Sequence, residues 1–208
     1  MEKDDKIIFE RLEKFLAAGE FPPPPENYTL GTPLALYHFT NGNIPEEHGA
    51  AILTAEENAL HLYGLLHDRE LFSKADCDNQ KTWLLGDAFE IMFRRAGNED
   101  YHEFHSTPDG IRLQLHIPDY RTRPQIPYED KICSCGLTVR NRRNAERDLW
   151  YSELIIPFDG IGLTPETVKG STFVVIRQNH YYEKEREISA TRVFPETAHF
   201  PPLWHKIV

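Results

Sequence analysis

The sequence predicts an all-β fold: an antiparallel β-sandwich, immunoglobulin-like or jelly-roll-like, of about eleven strands with a short N-terminal helix. Short apolar runs are broken by Gly, Pro, Asn and Asp at fairly regular spacing, which is typical of antiparallel strands joined by turns. About eleven strands are too many for one flat sheet, so we expect two packed sheets. Fifteen prolines in 208 residues disfavour a helix bundle.

The first predicted element is a helix over residues 6–18, because its apolar side chains recur at steps of three and four residues: Ile7, Ile8, Leu12, Phe15, Leu16 and Ala18. Gly19 ends the helix, and the sequence FPPPPE that follows is a rigid extended spacer. We therefore divide the chain into a helical arm with its spacer, residues 1–26, and a β-sandwich, residues 27–208. The apolar stripe of the arm needs a covering surface. This surface is its own sandwich, a partner, or a second copy that exchanges arms.

The predicted strands follow in chain order. Each is a short run rich in β-branched, aromatic or aliphatic residues that ends at turn residues. They are Leu34 to Phe39, Ala50 to Thr54, Ala59 to His67, Ala88 to Arg94, Tyr101 to Ser106, Ile111 to Ile117, Ile132 to Arg140, Trp150 to Ile156, Phe173 to His180, Ile188 to Thr191 and Trp204 to Val208.

Composition excludes several classes of function. Thirty-three acidic against 23 basic residues give a net charge of −10, which argues against binding to nucleic acid. No apolar run reaches the roughly 18 residues of a membrane helix, so no membrane contact is expected. The N-terminus is charged throughout where a secretory signal would be apolar, which predicts a cytoplasmic location by default. The three cysteines, an odd number without CxxC spacing, fit a reducing compartment.

Alternation along the strands indicates which side chains face away from the core. If Phe89 and its apolar neighbours point inward, Glu90 points outward. The same rule, applied to IRLQLHI, predicts Leu113 and Leu115 inward and Gln114 outward, and it places Arg177 and Asn179 together on one side of FVVIRQNH. These polar faces are either solvated surface or a platform for a ligand.

Trp83 lies among polar and glycine residues in NQKTWLLGD, just before a strand. A flat aromatic ring in such a loop can stack on the apolar face of a sugar while carboxylate, amide and guanidinium groups bind the hydroxyls. The alternative is that Trp83 is a plug packed under its loop.

Several short motifs resemble the family 9 carbohydrate-binding modules. They are LHLYGLLHD, TWLLGDAFEIMF, YHEFHSTPDG, YSELIIPFDGIGL, FVVIRQN and HFPPLW, and they follow one another in the family's order over roughly residues 34 to 208. The resemblance implies a β-sandwich that binds a mono- or oligosaccharide without cleaving it, usually with the sugar ring clamped between two tryptophans.

The resemblance also implies a set of site residues. Trp83 matches the first tryptophan of the clamp, and Glu90 matches the family's acidic ligand of sugar hydroxyls. Arg177 and Asn179 stand where the family uses polar ligands on a neighbouring strand. His105 stands where an arginine is usual.

The second tryptophan of the family's clamp falls at Ala198 in this sequence. Phe194 or Phe200 is the expected substitute, and Trp204 matches the family's closing core aromatic. Family members also hold structural calcium, but no loop here supplies a convincing set of oxygen ligands. We therefore expect no cofactor beyond what the resemblance implies.

Three other groups of residues are candidates for chemistry. HEFH in YHEFHS is similar to a zinc-protease motif, but its histidines are three apart on a predicted strand, so His102 and His105 should point to opposite faces. Cys133 and Cys135 share a strand face, which fits reduced thiols or, with a nearby histidine, a metal site.

For hydrolysis, Asp87 and Glu90 are the obvious pair of carboxylates. They are three residues apart near a strand, so their side chains should diverge, and Asp87 should instead bind the loop that enters the strand.

Three hypotheses follow. The leading one is a noncatalytic carbohydrate-binding module that uses Trp83, Glu90, His105, Arg177 and Asn179. The second is a structural or protein-interaction sandwich whose sugar site is degenerate, which Ala198 and the charged N-terminus favour. The third is an enzyme acting on sugars, which only the polar side chains of the platform support.

Overall fold

The computed structural model describes residues 3–208. Its helices are α1 (Lys3–Ala18), α2 (Thr82–Leu85) and α3 (Pro165–Val168). Its strands are β1 (Asn27–Tyr28), β2 (Leu34–Ala35), β3 (Tyr37–His38), β4 (Gly49–Glu56), β5 (Ala59–His67), β6 (Ala88–Arg94), β7 (Tyr101–Ser106), β8 (Arg112–Ile117), β9 (Thr138–Asn144), β10 (Leu149–Pro157), β11 (Thr172–Asn179), β12 (Glu187–Ala190) and β13 (His205–Ile207).

The strands form two sheets, as predicted. The front sheet has the order β1-β13-β11-β6-β7-β8, and β12 pairs with both β11 and β3 at one end. The back sheet has the order β2-β4-β5-β10-β9. All pairs are antiparallel except β1 with β13. The chain crosses between the sheets many times, so neither sheet can form without long-range contacts.

The main core lies between the two sheets and follows the predicted alternation of β6. Phe89, Ile91 and Phe93 are buried together against the inner face of the back sheet. A Cβ atom at Gly64 would lie 2.4 Å from the Phe89 ring, so only glycine lets the two sheets approach at this point. Burial of these rings on both sides of the interface supplies the main driving force for the sandwich.

The N-terminal helix docks on its own sandwich, which answers the question that the sequence left open. Phe9 packs edge-on against Tyr63 and Tyr151 of the back sheet's outer face, with ring centroids 5.6 and 5.3 Å apart. Leu12 is fully buried in the same cluster. Glu13 accepts a hydrogen bond of 2.7 Å from the Tyr151 hydroxyl.

The proline spacer then leads the chain from the back sheet to the front sheet. The Arg192 guanidinium donates to the carbonyl oxygens of Pro24 and Pro25, each at 3.1 Å. The spacer is therefore part of the folded structure and not a loose tether. Within residues 3–208, no helix is both long enough and apolar enough to span a membrane.

Two predicted strands differ from the structure. The run from Leu34 to Phe39 is split between β2 in the back sheet and β3 in the front sheet. The run from Ile132 to Arg140 is mostly irregular, and β9 starts only at Thr138, because Gly136 turns the backbone with φ of 74°. Strand β9 then extends to Asn144, beyond the predicted end at Arg140.

The docked helix gives a stability prediction. Leu12→Ala should lower the free energy of unfolding by about 2 to 5 kcal/mol, because it leaves a cavity between helix and sheet. Ile7→Ala is the matched control on the same helix, since Ile7 is 50% exposed and should change stability little. Urea titration measured by circular dichroism checks both variants, and equal stability of the two would contradict the docking.

Candidate functional site

A cavity of about 420 Å³ opens on the outer face of the front sheet. Its floor comes from β6, β7, β8 and β11, and its walls come from α2 and from the loops that follow β8, β11 and β12. The lining residues are Phe39, Lys81, Trp83, Glu90, Met92, Glu103, His105, Leu115, Arg123, Tyr128, Lys131, Ile176, Gln178, Arg186, Ile188, Glu196, Thr197, Ala198 and His199.

Strand register decides which side chains form the floor. Glu90 pairs directly with His105, and His105 pairs with Leu113, so all three lie on the same face. Glu103, two residues before His105, shares that face. The prediction for β8 was therefore wrong: Leu115 lines the cavity, and Gln114 points inward.

Gln114 turns inward because the irregular segment beside β8 has backbone groups to satisfy. Its Oε1 accepts hydrogen bonds from the backbone N–H groups of Cys135 and Leu137, at 3.0 and 3.1 Å. The leucines of β8 are then free to pack on the outer face with Tyr101 and Trp204 in a second core.

A hydrogen-bonded row of buried polar groups crosses the floor. His105 Nε2 lies 2.8 Å from Glu103 Oε1, and His105 Nδ1 lies 2.8 Å from the Thr82 hydroxyl and 3.3 Å from Glu90 Oε1. Glu103 Oε2 lies 3.9 Å from His199 Nδ1. His105 therefore bridges two carboxylates and also fixes the start of α2.

Burial and neighbouring charges give the carboxyl groups of Glu90 and Glu103 very different pKa values. Burial raises the pKa of Glu90 to about 7, against the opposing effect of His105. Burial acts in the same direction on Glu103, but His199 and the hydrogen bond from His105 outweigh it and lower the pKa of Glu103 to about 2. The pKa of His105 is raised, since the two carboxylates more than offset its burial. Near neutral pH the row thus holds an ionised Glu103 and a Glu90 that is partly protonated.

Trp83 lies on the short helix α2, at the wall of the cavity. It is half-buried, with its ring centroid 5.9 Å from His105 and 5.9 Å from Tyr128, both edge-on. Its carbonyl accepts hydrogen bonds from His180 and Arg186. Trp83 is thus neither a fully buried plug nor a free ring, and it borders the polar row directly.

The turn after Trp83 explains the Gly-Asp pair of the sequence. Gly86 has φ of 148°, and a Cβ there would lie 2.6 Å from backbone atoms of Phe72 and Ser73. Asp87 accepts hydrogen bonds from the backbone N–H groups of Phe72 and His180, at 2.6 and 2.7 Å. The prediction that Asp87 binds the loop entering the strand is confirmed.

Ala198, the position of the family's second tryptophan, does line the cavity. Neither expected substitute does so: Phe194 is buried against Phe39, and Phe200 packs edge-on against Tyr120. The aromatic rings that line the cavity together with Trp83 are instead Phe39 and Tyr128.

Trp204 is buried, as expected for a closing core aromatic. It packs edge-on against Tyr101 with ring centroids 5.3 Å apart, and its Nε1 donates to the Ala198 carbonyl at 2.7 Å. Trp204 therefore supports the wall segment that carries Ala198.

Arg177 and Asn179 share one side of β11, as predicted, but they do not line the cavity, so their prediction as sugar ligands beside Glu90 was wrong. Arg177 pairs with Phe89, which places it on the inner face. There its guanidinium donates to Asp68 at 2.9 Å and to the Glu47 carbonyl at 2.7 Å, while Asn179 donates to the Glu47 carboxylate.

Three floor and wall residues were not identified from the sequence. Glu103 could have been found, since alternation places it beside His105 on β7. Gln178 lines the cavity because it lies between the two inward residues of β11. Tyr128 belongs to an irregular loop, for which the sequence has no periodic signal.

The polar row also forms the one group of three potential metal ligands found within the described part of the chain. The ligand atoms of Glu90, Glu103 and His105 lie within 4.8 Å of one another. Both ring nitrogens of His105 already have partners, however, so a metal ion would have to displace Thr82 or Glu103.

Two residues of HEFH, Glu103 and His105, belong to this row, whereas His102 and the CSC motif lie apart from it. His102 is buried, and its ring stacks with that of Phe104, whereas His105 faces the cavity, as the spacing of three predicts. The thiols of Cys133 and Cys135 are free, with their sulfur atoms 3.3 Å apart. The Cys133 thiol and the His102 imidazole lower the pKa of Cys135 to about 5, against its burial.

Comparison with solved structures identifies the fold. A candidate carbohydrate-binding protein from Bacteroides uniformis matches with a TM-score of 0.64 at 12% identity, over 85% of each chain. A family 9 carbohydrate-binding module from Caldicellulosiruptor kristjanssonii, in complex with cellotriose, matches with a TM-score of 0.57 at 12% identity, over 83% of this chain and 79% of that one. The same kind of module in complex with glucose has a TM-score of 0.57 at 13% identity, over 84% and 83%.

The predicted fold is thus confirmed: it is the β-sandwich of the family 9 carbohydrate-binding modules. No protein-family model and no curated protein matches the sequence. The likeness is therefore one of structure at low sequence identity.

The raised pKa of Glu90 gives a pH prediction. From about pH 4.5 to 7 the folded state holds a proton on Glu90 that the unfolded state releases, so this group's contribution to stability falls as the pH rises and is constant above 7. The Glu90→Gln variant has no carboxyl group at this position, so it does not lose stability in this way as the pH rises. The unfolding free energy of the variant relative to the parent should rise over this range, by up to about 3 kcal/mol.

Chemical denaturation at a series of pH values checks this prediction. Glu46→Gln is the control, because the Arg69 guanidinium holds the pKa of this exposed carboxyl below its usual range. The effect of Glu46→Gln should therefore be constant from pH 4.5 to 7. A Glu90→Gln effect that is also constant would show that Glu90 titrates normally.

A second prediction concerns Arg177. Arg177→Met should destabilise the fold by about 3 to 5 kcal/mol, because it leaves buried carboxylates without their cation. Arg121→Gln, which removes an exposed arginine paired with Asp119, should have little effect. Thermal and urea unfolding measure both, and a stable Arg177→Met protein would contradict the structural role.

Proposed function

We propose that the chain, whose fold is that of the family 9 carbohydrate-binding modules, binds carbohydrate in the cavity beside Trp83. The observation that carries the proposal is a pair of buried acceptors on the floor. Glu90 Oε1 and Gln178 Oε1 are both buried, and neither accepts a well-formed hydrogen bond within residues 3–208. The ion-pair contact of Glu90 Oε1 with His105 Nδ1 is 3.3 Å long, and that nitrogen is already engaged by Thr82 at 2.8 Å. A buried acceptor without a donor costs about 1 to 3 kcal/mol, so a ligand that donates hydrogen bonds here restores that energy.

A sugar supplies what this cavity requires. Its hydroxyl groups donate to Glu90, Gln178 and the ionised Glu103, and its apolar C–H face can pack on an aromatic ring. Trp83 borders the polar row, so one sugar ring can stack on Trp83 while its hydroxyl groups bind the polar row. His105 holds the carboxylates in place, since it contacts Glu103 at 2.8 Å and Glu90 at 3.3 Å. The cavity volume of about 420 Å³ is in the range of small-molecule sites.

The site of this proposal differs from the one that the sequence suggested. Trp83, Glu90 and His105 remain, and Glu103 and Gln178 take the places of Arg177 and Asn179. With Ala198 at the position of the second tryptophan, the sugar rests on one tryptophan, which favours modest affinity.

Two other functions are less well supported. Hydrolysis needs two carboxyl groups on either side of the bond to be cleaved. Here Glu90 and Glu103 both contact His105 from the same floor, so they do not flank a bond above it. A sandwich used only for protein interaction would leave the buried acceptors of the floor unexplained.

The proposal predicts that Trp83→Ala lowers sugar affinity by about 1 to 3 kcal/mol, by analogy with the stacking of bases on aromatic rings. The adjacent Leu84 is 57% exposed and does not line the cavity, so Leu84→Ala is the matched control and should bind as the parent does. A glycan array that includes glucose and cellotriose selects the ligand, and titration calorimetry then compares the three proteins.

The outcomes separate the hypotheses. Selective loss of binding in a folded Trp83→Ala protein supports the proposal. Failure of the parent to bind any glycan on the array contradicts it and favours the protein-interaction sandwich. Equal binding by Trp83→Ala and the parent would place the sugar elsewhere.

A further inference from the structure

Four cationic side chains line the mouth of the cavity, and they come from three separate segments. Lys81 precedes α2, Arg123 and Lys131 belong to the long loop after β8, and Arg186 belongs to the loop between β11 and β12. Segments distant in sequence thus bring four positive charges to one opening.

These cations have no acidic partner among the described residues. Lys131 donates to the Arg123 carbonyl, Arg186 donates to the Trp83 carbonyl, and Lys81 lies 4.9 Å from the Tyr128 ring centroid. None of the four forms an ion pair with a carboxylate of residues 5–208. The pKa of Lys131 is lowered by burial and by the nearby charge of Arg123, so the cations also crowd one another.

The convergence of four such cations on one cavity contrasts with the composition of the chain, where acidic side chains outnumber basic ones by 33 to 23. Some other arginines form ion pairs with carboxylates: Arg69 pairs with Glu46 and Glu47, and Arg112 pairs with Asp78. The cavity lining instead holds four lysine and arginine side chains against three glutamates, a local balance of +1 in a protein of −10. Charges farther away than about 8 Å are largely screened at physiological ionic strength, so the local balance governs a bound ligand.

The neighbouring glutamates do not account for all four cations. Arg123 and Lys131 act on Glu103 through space, but Glu103 already has His105 as its hydrogen-bonded partner. Glu90 is partly neutral near pH 7, and Arg186 acts on it only at a distance. Glu196, the third glutamate of the lining, is exposed and forms no ion pair with any of the four cations. The lining therefore keeps an excess of positive charge at the mouth.

We propose that the ligand is an acidic sugar, whose ring hydroxyls bind the floor and whose anionic group binds the cations at the mouth. This inference rests on the proposed carbohydrate function and specifies its ligand class. Lysine and arginine side chains donate charge-assisted hydrogen bonds to carboxylate, sulfate or phosphate oxygens. A neutral sugar would leave them unused.

Titration calorimetry of the full chain tests the inference with matched pairs of probes. Glucuronate, glucose 6-sulfate and glucose 6-phosphate are each compared with glucose, and galacturonate is compared with galactose. At least one acidic sugar should bind about tenfold more tightly than its neutral parent, as expected for one or two charge-assisted hydrogen bonds. The three kinds of acidic group show which anion the mouth accepts.

Variants then locate the anionic subsite. Arg123→Gln combined with Lys131→Gln should lower the ratio of acidic to neutral affinity about tenfold, and Arg186→Gln should lower it as a separate, exposed change. Lys169→Gln, an exposed lysine away from the cavity, is the control and should leave that ratio as it is in the parent. Circular dichroism melts establish that each variant is folded.

Each result decides between distinct conclusions. If neutral sugars bind as tightly as acidic ones, the inference is overturned and the proposed function stands. If no sugar of either kind binds, both the proposed function and the inference fail. If inorganic phosphate or acetate alone binds as tightly as the acidic sugars, the mouth is an anion site without sugar recognition, which also overturns the inference.

Discussion

The buried guanidinium of Arg177 is the constraint on which the relative positions of the two sheets and of the cavity loops depend. A cation removed from water costs several kcal/mol unless carboxylates accompany it. Arg177 of the front sheet therefore requires Asp68, directly after β5, and Glu47, shortly before β4. Strands β4 and β5 belong to the back sheet, so these contacts tie the two sheets together. Asp87 lies close enough to Asp68 to sense its charge, and it holds the backbone of the loop that leads to Trp83.

The floor of the cavity also holds buried charged groups that need partners. Glu90, Glu103 and His105 are buried like Arg177, but their row borders an open cavity, where Glu90 Oε1 and Gln178 Oε1 accept no well-formed hydrogen bond within the described structure. A ligand in the cavity can satisfy such an acceptor, whereas Asn179 Oδ1, which also has no partner, lies on the inner face of the sheet. The two faces of the front sheet thus separate structural polar groups, on the inner face, from candidate binding groups, on the outer face.

Much of the fold could be predicted because its strands are short and regular. The bounds of β5, β6 and β7 follow directly from apolar runs that end at turn residues. The two-residue strands β1, β2 and β3 carry no such signal, and β9 is a polar edge strand defined by its pairing with β10. For the site, alternation indicated that Glu90 faces away from the core, and the family resemblance pointed to His105, but neither could show how the faces of different strands are related. The assignments of Arg177, Asn179 and the leucines of β8 failed for that reason.

By itself, the sequence determined which residues share a strand face, where the helical arm ends, and that Trp83 precedes a Gly-Asp turn, because these properties depend on local spacing and backbone conformation. The tertiary structure decided which face of each strand is the inner one, since this depends on the register between strands that are distant in the chain. It also decided that the arm covers its own sheet and that four unpaired cations meet at one opening. Such arrangements arise from loops of irregular conformation, whose positions no periodic pattern encodes.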